Sequence, residues 1–132
     1  IKTGWIVWIN GPFPAGAWPD VNIAHHSLIH FLDAGEYYAA DGGYADGHRF
    51  ASTPNGLNDY EQRTKALARA RHETVNRRFK IFGCLSQRYH HSLVFHGTIF
   101  CAVAGIVQLT IQFGHPLFDI EYNEADFVPN AV

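Results

Sequence analysis

The N-terminal third of the chain alternates apolar runs with turn residues. Residues 5–9 (WIVWI) are apolar without interruption and end at the turn sequence of residues 10–12, a pattern typical of a buried strand that enters a loop. A helix is predicted over 21–32, with Asp20 or Asn22 as its cap. Its apolar positions recur at helical spacing: Ile23, Leu28, Phe31 and Leu32.

A second strand is predicted over 36–40 (EYYAA), followed by a turn over 42–44 and a loop to about Leu57. This strand places Asp41 at its C-terminal end. Open α/β folds bind their ligands at that end of the strands. The alternative is that Asp41 only starts the turn, which is common for an Asp before Gly.

The longest periodic segment predicts a helix from Asn58 to about Phe82. Asn58 and Glu61 have the spacing of a capping box, and Gly83 is placed to end the helix. On a helical wheel one side is apolar and is expected to face the core. That side carries Ala68, Val75, Phe79 and Phe82.

The last apolar segment, residues 92–113, is long enough to raise the question of a membrane span. It contains His96, Gln108 and Gln112 and lacks flanking basic clusters. We therefore interpret it as a buried amphipathic helix and expect no membrane partner.

Composition limits the chain to one folded domain. It has 132 residues, of which 47% are hydrophobic, and a formal net charge of −2, which excludes a disordered chain and a uniformly basic chromatin-type protein. The two cysteines, Cys84 and Cys101, exclude a disulfide scaffold. We expect both to be small buried hydrophobic residues.

The positive charge is concentrated in the long helix and the residues just after it. Residues 61–88 hold eight of the ten Lys and Arg and two acidic residues, a net charge of +6, which leaves −8 for the rest. Such a block can bind phosphates. The alternative is an ordinary solvated helix face.

One exposed stripe of this helix combines both charges. Glu73 lies four residues after Arg69 and seven before Lys80, with Arg77 on the same side. A carboxylate between cations stays ionised and can bind a hard metal ion, while the cations hold a phosphate backbone beside it. The alternative is a stripe of surface ion pairs.

Asp41 and Glu73 together make half of a two-metal phosphoryl-transfer site. Two cations roughly 4 Å apart need about three carboxylates, with one metal activating the nucleophile and the other stabilising the leaving oxygen.

At these residues the chain resembles the catalytic domain of DDE-type transposases, the Harbinger-like endonucleases. The matching pieces occur in the order of the family, over about residues 3–122. They are Thr3 to Trp8, the loop from Gly11 to Asp20, Ala40 to Tyr44 with the second catalytic Asp, and Arg69-x3-Glu73-x6-Lys80.

The resemblance implies a mixed α/β, ribonuclease H-like domain over 1–122 and a polar tail over 123–132. It implies a metal-dependent DNA endonuclease or transposase with Mg²⁺ or Mn²⁺ bound by Asp41 and Glu73. Arg69, Arg77 and Lys80 would contact DNA near the metals. Asp20 matches a recurrent family residue outside the catalytic three, and we expect it to cap a helix.

The first catalytic Asp of the family lies upstream of the segment that matches Thr3 to Trp8. Because the chain starts at Ile1 and contains no Met, we interpret it as N-terminally truncated and expect no DNA cleavage by this chain alone. The alternative function is a non-catalytic remnant of a transposase that binds DNA or protein.

Location and partners follow from the same resemblance, which implies a nuclear protein. The sequence contains no helix-turn-helix or zinc-finger pattern. Target choice is therefore expected to reside in missing residues or in a separate DNA-reading partner protein, and the oligomeric state stays open.

Histidines form two groups, one at residues 25, 26 and 30 and one at 90, 91 and 96. A pair one helical turn apart, such as His26 and His30, can bind zinc or nickel. No Glu completes a His-Glu-x-x-His arrangement, so we expect surface or hydrogen-bonded histidines.

Overall fold

The computed structural model describes residues 3–13, 17–34, 36, 38 and 59–121. Helices make up 61% of this part. The α-helices are α1 (Asp20–His26), α2 (Asp59–Lys80), α3 (Gly83–Ser86) and α4 (His96–Phe113), and short 3₁₀ helices cover Leu28–Phe31 and Leu93–Phe95.

The expected α/β, ribonuclease H-like fold is wrong for the described residues, which are helical and contain no strand. A strand forms only where a neighbouring strand takes its backbone hydrogen bonds. Residues 5–9 have no such neighbour among the described residues. The Ile6 N–H instead donates to Gln108 Oε1 on α4 at 2.7 Å. Of the second predicted strand, 36–40, only Glu36 and Tyr38 lie within the described residues.

Helix α2 confirms the prediction of one long basic helix. Its sequence is rich in Ala, Arg, Lys and Glu, which favour helix. The apolar side is also confirmed, since Val75, Phe79 and Phe82 pack against the core. The predicted end is wrong, because α2 stops at Lys80 and Gly83 begins α3. The predicted cap Asn58 lies outside the described residues.

The hydrophobic core lies where α4, α2, α3 and the segment after α4 meet. Its buried centre consists of Val103, Val107 and Ile111 on α4 and Leu117 beyond it. Partly buried side chains pack around this centre: Ile6, Val75, Phe79, Phe82, Cys84, Leu85 and Ile99.

Helix α1 is shorter than predicted. It begins at Asp20 and ends at His26, after which the chain turns through Ser27 into a 3₁₀ helix. The expectation that Asp20 or Asn22 caps the helix is wrong. Pro19 occupies the N-cap position, and α1 has no capping hydrogen bond from a side chain at its N-terminus. The Asp20 carboxylate still lies in the first turn, where the helix dipole favours negative charge.

Helix α4 is buried on one side only. Val103, Val107 and Ile111 face the core, whereas Leu109 and Phe113 are exposed. In the described part of the chain it is the one helix long and apolar enough to cross a membrane, with 18 residues, a mean hydropathy of 1.4 and 22% of its residues buried. The predicted buried amphipathic helix is thus correct for one face of α4.

A buried arginine fastens the segment after α4 to α2. Arg71 is only 5% exposed. Its Nε donates to the Phe118 carbonyl at 3.0 Å, its Nη2 donates to the same oxygen, and its guanidinium lies 5.6 Å from the centre of the Phe118 ring. Two turns further along α2, Arg78 Nη1 donates to the His115 carbonyl at 2.6 Å. These bonds hold residues 115–118 along the helix.

Gly4 brings the N-terminal segment into the same junction. A Cβ at this position would lie 2.8 Å from Leu117 Cδ1 and 3.3 Å from Arg71 Cδ, and the backbone φ is +66°. Only glycine meets both the lack of space and the left-handed backbone conformation.

Replacing Arg71 with Ala is expected to lower the free energy of unfolding by about 3 kcal/mol, because the partly buried Phe118 carbonyl loses its charged donor and the buried Arg71 side chain leaves a cavity. The matched control is Arg69→Ala, two residues away on the exposed side, with an expected change within about 0.5 kcal/mol. Urea unfolding of both variants measures the difference. Equal effects would contradict the role of Arg71.

Candidate nucleic-acid interface

The seven Lys and Arg of α2 divide into two sets by their surroundings. Arg71 and Arg78 are engaged with the segment after α4, and Lys65 is half-buried. The other four are exposed: Arg63, Arg69, Arg77 and Lys80.

The four exposed cations lie on the side of α2 away from the core, and we call them the basic face. At 100° per residue they occupy an arc of about 120° centred opposite Val75 and Ala68. None of their side chains makes a hydrogen bond or ion pair with another described residue. Their charges are therefore available to an external anion.

Glu73 lies in the middle of the basic face and is exposed. No ion pair joins it to Arg69 or Arg77 in the described part of the chain. The alternative of a stripe of surface ion pairs is therefore absent here. The spatial grouping predicted for Arg69, Glu73, Arg77 and Lys80 is present.

Lys65 borders the basic face, on its core side. Burial and the neighbouring charge of Arg69 lower the pKa of Lys65 below its usual value of 10.5. Its Nζ is shielded from solvent and has no hydrogen-bond partner among the described residues. An ammonium group in this position costs stability, because its desolvation is not compensated.

The predicted metal pair cannot be assembled from the described residues. Asp41 lies outside them, and they contain no group of three or more His, Cys, Asp or Glu able to hold a metal ion. Glu73 by itself offers one carboxylate for a hard cation. The Mg²⁺ or Mn²⁺ site therefore remains a prediction from the resemblance.

Three of the described histidines, His26, His91 and His96, pack against aromatic rings. The His26 ring lies 5.3 Å from that of Trp18, and Tyr89 lies 5.6 Å from His91 and 4.9 Å from His96 between ring centres. Both groups thus contribute a histidine to an edge-on aromatic contact.

The two cysteines differ in exposure. Cys84 is partly buried against the core, whereas Cys101 is exposed on α4, so the expectation that Cys101 is buried is wrong.

Sequence reasoning missed that two arginines of the basic block are structural. Arg71 was counted with the phosphate-binding charges, yet on the wheel it lies beside Thr64 and within about 40° of Val75, on the side that faces the core. An arginine on an apolar side must find an acceptor inside the protein. The place of Arg71 on the wheel could therefore have predicted its internal role from the sequence. The same argument applies less strongly to Arg78, which lies at the edge of the apolar side.

Comparison with protein-family models, curated proteins and solved structures found no match to this chain.

Lys65→Met is expected to raise the free energy of unfolding at neutral pH. The gain should be constant below the lowered pKa of Lys65. It should shrink as the pH rises from that pKa toward 10.5, because the folded wild type then releases a proton that its unfolded chain still holds. Urea unfolding across this pH range measures the difference in unfolding free energy between Lys65→Met and the wild type. The matched control is Lys80→Met, at an exposed lysine. An increase of this stability gain with rising pH would contradict a lowered pKa of Lys65.

Proposed function

We propose that this chain binds duplex DNA through the basic face of α2. The observation that carries the proposal is the division of the cations on this helix. Arg71 and Arg78 bond to the segment after α4 and Lys65 is partly buried, whereas the other four are exposed on one side and have no side-chain partner among the described residues. Cations left unpaired on one rigid surface favour an extended polyanion as the ligand.

The geometry of α2 suits a phosphate backbone. From Arg69 to Lys80 the helix rises about 16 Å, a length that passes several phosphates of one DNA strand. Val75 and Phe79 fix the opposite side of the helix to the core. The exposed cations therefore keep their spacing when DNA binds, and little backbone order has to be gained.

DNA is the polyanion that the sequence favours. The pattern Arg69-x3-Glu73-x6-Lys80 resembles the helix of Harbinger-like endonucleases that carries their catalytic Glu. A protein derived from such an enzyme would act on DNA, and its location would be the nucleus. A separate DNA-reading partner protein would supply sequence choice, because a face of arginines and lysines aimed at phosphates carries no base information.

Binding is better supported than cleavage. Two-metal cleavage needs several carboxylates that hold two metal ions about 4 Å apart, and the described residues provide neither a sheet nor a group of three metal-binding side chains. Metal-dependent cleavage by Asp41 and Glu73 remains the second candidate, since Glu73 is exposed at the centre of the basic face and open to a cation.

Salt dependence tests the proposal. Binding of a fluorescent duplex should weaken steeply with salt, and the triple variant Arg69→Gln, Arg77→Gln, Lys80→Gln should reduce the slope of log K against log salt by about 3. Arg88→Gln, an exposed cation outside α2, is the control and should reduce the slope by less than about 1.

An unchanged slope in the triple variant would contradict binding through α2. The same titrations in EDTA, Mg²⁺ and Mn²⁺ separate the two candidates. Binding through the basic face does not require a divalent metal, whereas strand cleavage that appears only with metal would establish the endonuclease.

A further inference from the structure

Asn76 lies on the same side of α2 as two of the exposed cations. At 100° per residue, Arg69, Asn76 and Lys80 fall within an arc of about 40°. Asn76 follows Arg69 by about two turns and precedes Lys80 by about one turn, so the three residues form a row parallel to the helix axis. A strand of DNA that contacts both cations therefore passes the side chain of Asn76.

No described residue occupies the amide of Asn76. The hydroxyls of Thr64 and Thr74 donate to backbone carbonyls one turn earlier, at 3.0 Å and 2.9 Å. Tyr60 and Gln62 also have interaction partners. Among the amide and hydroxyl side chains of α2, Asn76 alone has no partner in the described part of the chain.

The amide of Asn76 is nevertheless open to a ligand. Asn76 is half-buried, but neither its Oδ1 nor its Nδ2 is sealed from solvent, unlike the shielded Nζ of Lys65. Asparagine in a helix interior also weakens the helix, because its side chain competes for backbone hydrogen bonds. A polar group that weakens its own helix and has no described partner favours a ligand outside the protein.

The neighbouring charges indicate which chemical group this ligand presents. Arg69 and Lys80 are exposed at the two ends of the row, and an anion is attracted to both. Between them, the Nδ2 of Asn76 offers two N–H donors. A phosphate oxygen is an acceptor, and asparagine is one of the side chains that bond to the phosphates of DNA.

We propose that the Nδ2 of Asn76 donates a hydrogen bond to a DNA phosphate that lies between those bound by Arg69 and Lys80. This inference rests on the proposed binding of DNA through the basic face. A neutral donor adds affinity but releases no counterions, because their release follows the neutralisation of phosphate charge by Lys and Arg. Asn76 therefore fixes the position of the strand along α2, while the cations set the salt dependence.

Asn76→Ala tests the proposal through the salt dependence of duplex binding. The variant should bind about tenfold more weakly than the wild type at every salt concentration, with the same slope of log K against log salt. The loss should be equal for an A·T-only and a G·C-only duplex, since phosphate contacts carry no base information. Urea unfolding should show no loss of stability. The matched control is Asn22→Ala, at an exposed asparagine of α1, which should bind like the wild type.

Three results would overturn the proposal. If Asn76→Ala binds both duplexes like the wild type, the amide makes no contact with DNA. A loss of affinity confined to one of the duplexes would assign the amide to base edges instead of a phosphate. A loss of affinity accompanied by a matching loss of stability would show that Asn76 acts through the fold.

The triple variant of Arg69, Arg77 and Lys80 separates a failure of this contact from a failure of the DNA-binding proposal. A reduced salt slope in the triple variant, together with normal binding by Asn76→Ala, would remove the Asn76 contact alone. An unchanged slope in the triple variant would remove both.

Discussion

The contact between the Arg71 guanidinium and the Phe118 carbonyl is the interaction on which the rest of the described structure depends. It brings the segment after α4 back along α2, and this return path buries Leu117 and Ile120. It also fixes the rotation of α2, because the side that carries Arg71 has to face inward. The opposite side, with the basic face, is then directed outward. A single buried cation thus determines where the remaining cations point.

This constraint connects the fold with the proposed function. A helix with seven Lys and Arg repels itself unless some of the charges have partners. Carbonyl oxygens of the segment after α4 provide partners for Arg71 and Arg78, and no described residue provides one for the basic face. An external polyanion relieves the repulsion that remains. DNA binding and the stability of α2 are therefore expected to be coupled, with bound DNA stabilising the fold.

The helical half of the chain could be predicted from the sequence, because its signals are local. The long periodic segment, the side with Val75 and Phe79, and the exposure of Arg69, Glu73 and Lys80 all follow from the spacing of residues along one helix. The segment of α4 was also recognised, although its outer face was expected to be buried. Apolar composition shows that a helix can be buried but does not determine how much of it finds a partner.

The failures concern contacts between distant parts of the chain. A strand at residues 5–9 needs a neighbouring strand, and the sequence of the segment contains no information about whether one is present. One partner of Arg71, the Phe118 carbonyl, lies 47 residues away in the sequence, so the charge of Arg71 was assigned to the surface. Asp20 has a side chain suited to capping, but Pro19 occupies the cap position, and prediction of helix ends is uncertain by this amount. The resemblance to Harbinger-like endonucleases suggested a sheet that the described residues do not form.

The basic face is tested most directly by removing the one negative charge at its centre. Glu73→Gln keeps the size and exposure of the side chain, so any change in duplex affinity in EDTA reports the charge alone. If the face contacts phosphates, the variant should bind DNA about fivefold more tightly, which corresponds to about 1 kcal/mol for one like-charge contact in water. Unchanged or weaker binding by Glu73→Gln in EDTA would contradict the account.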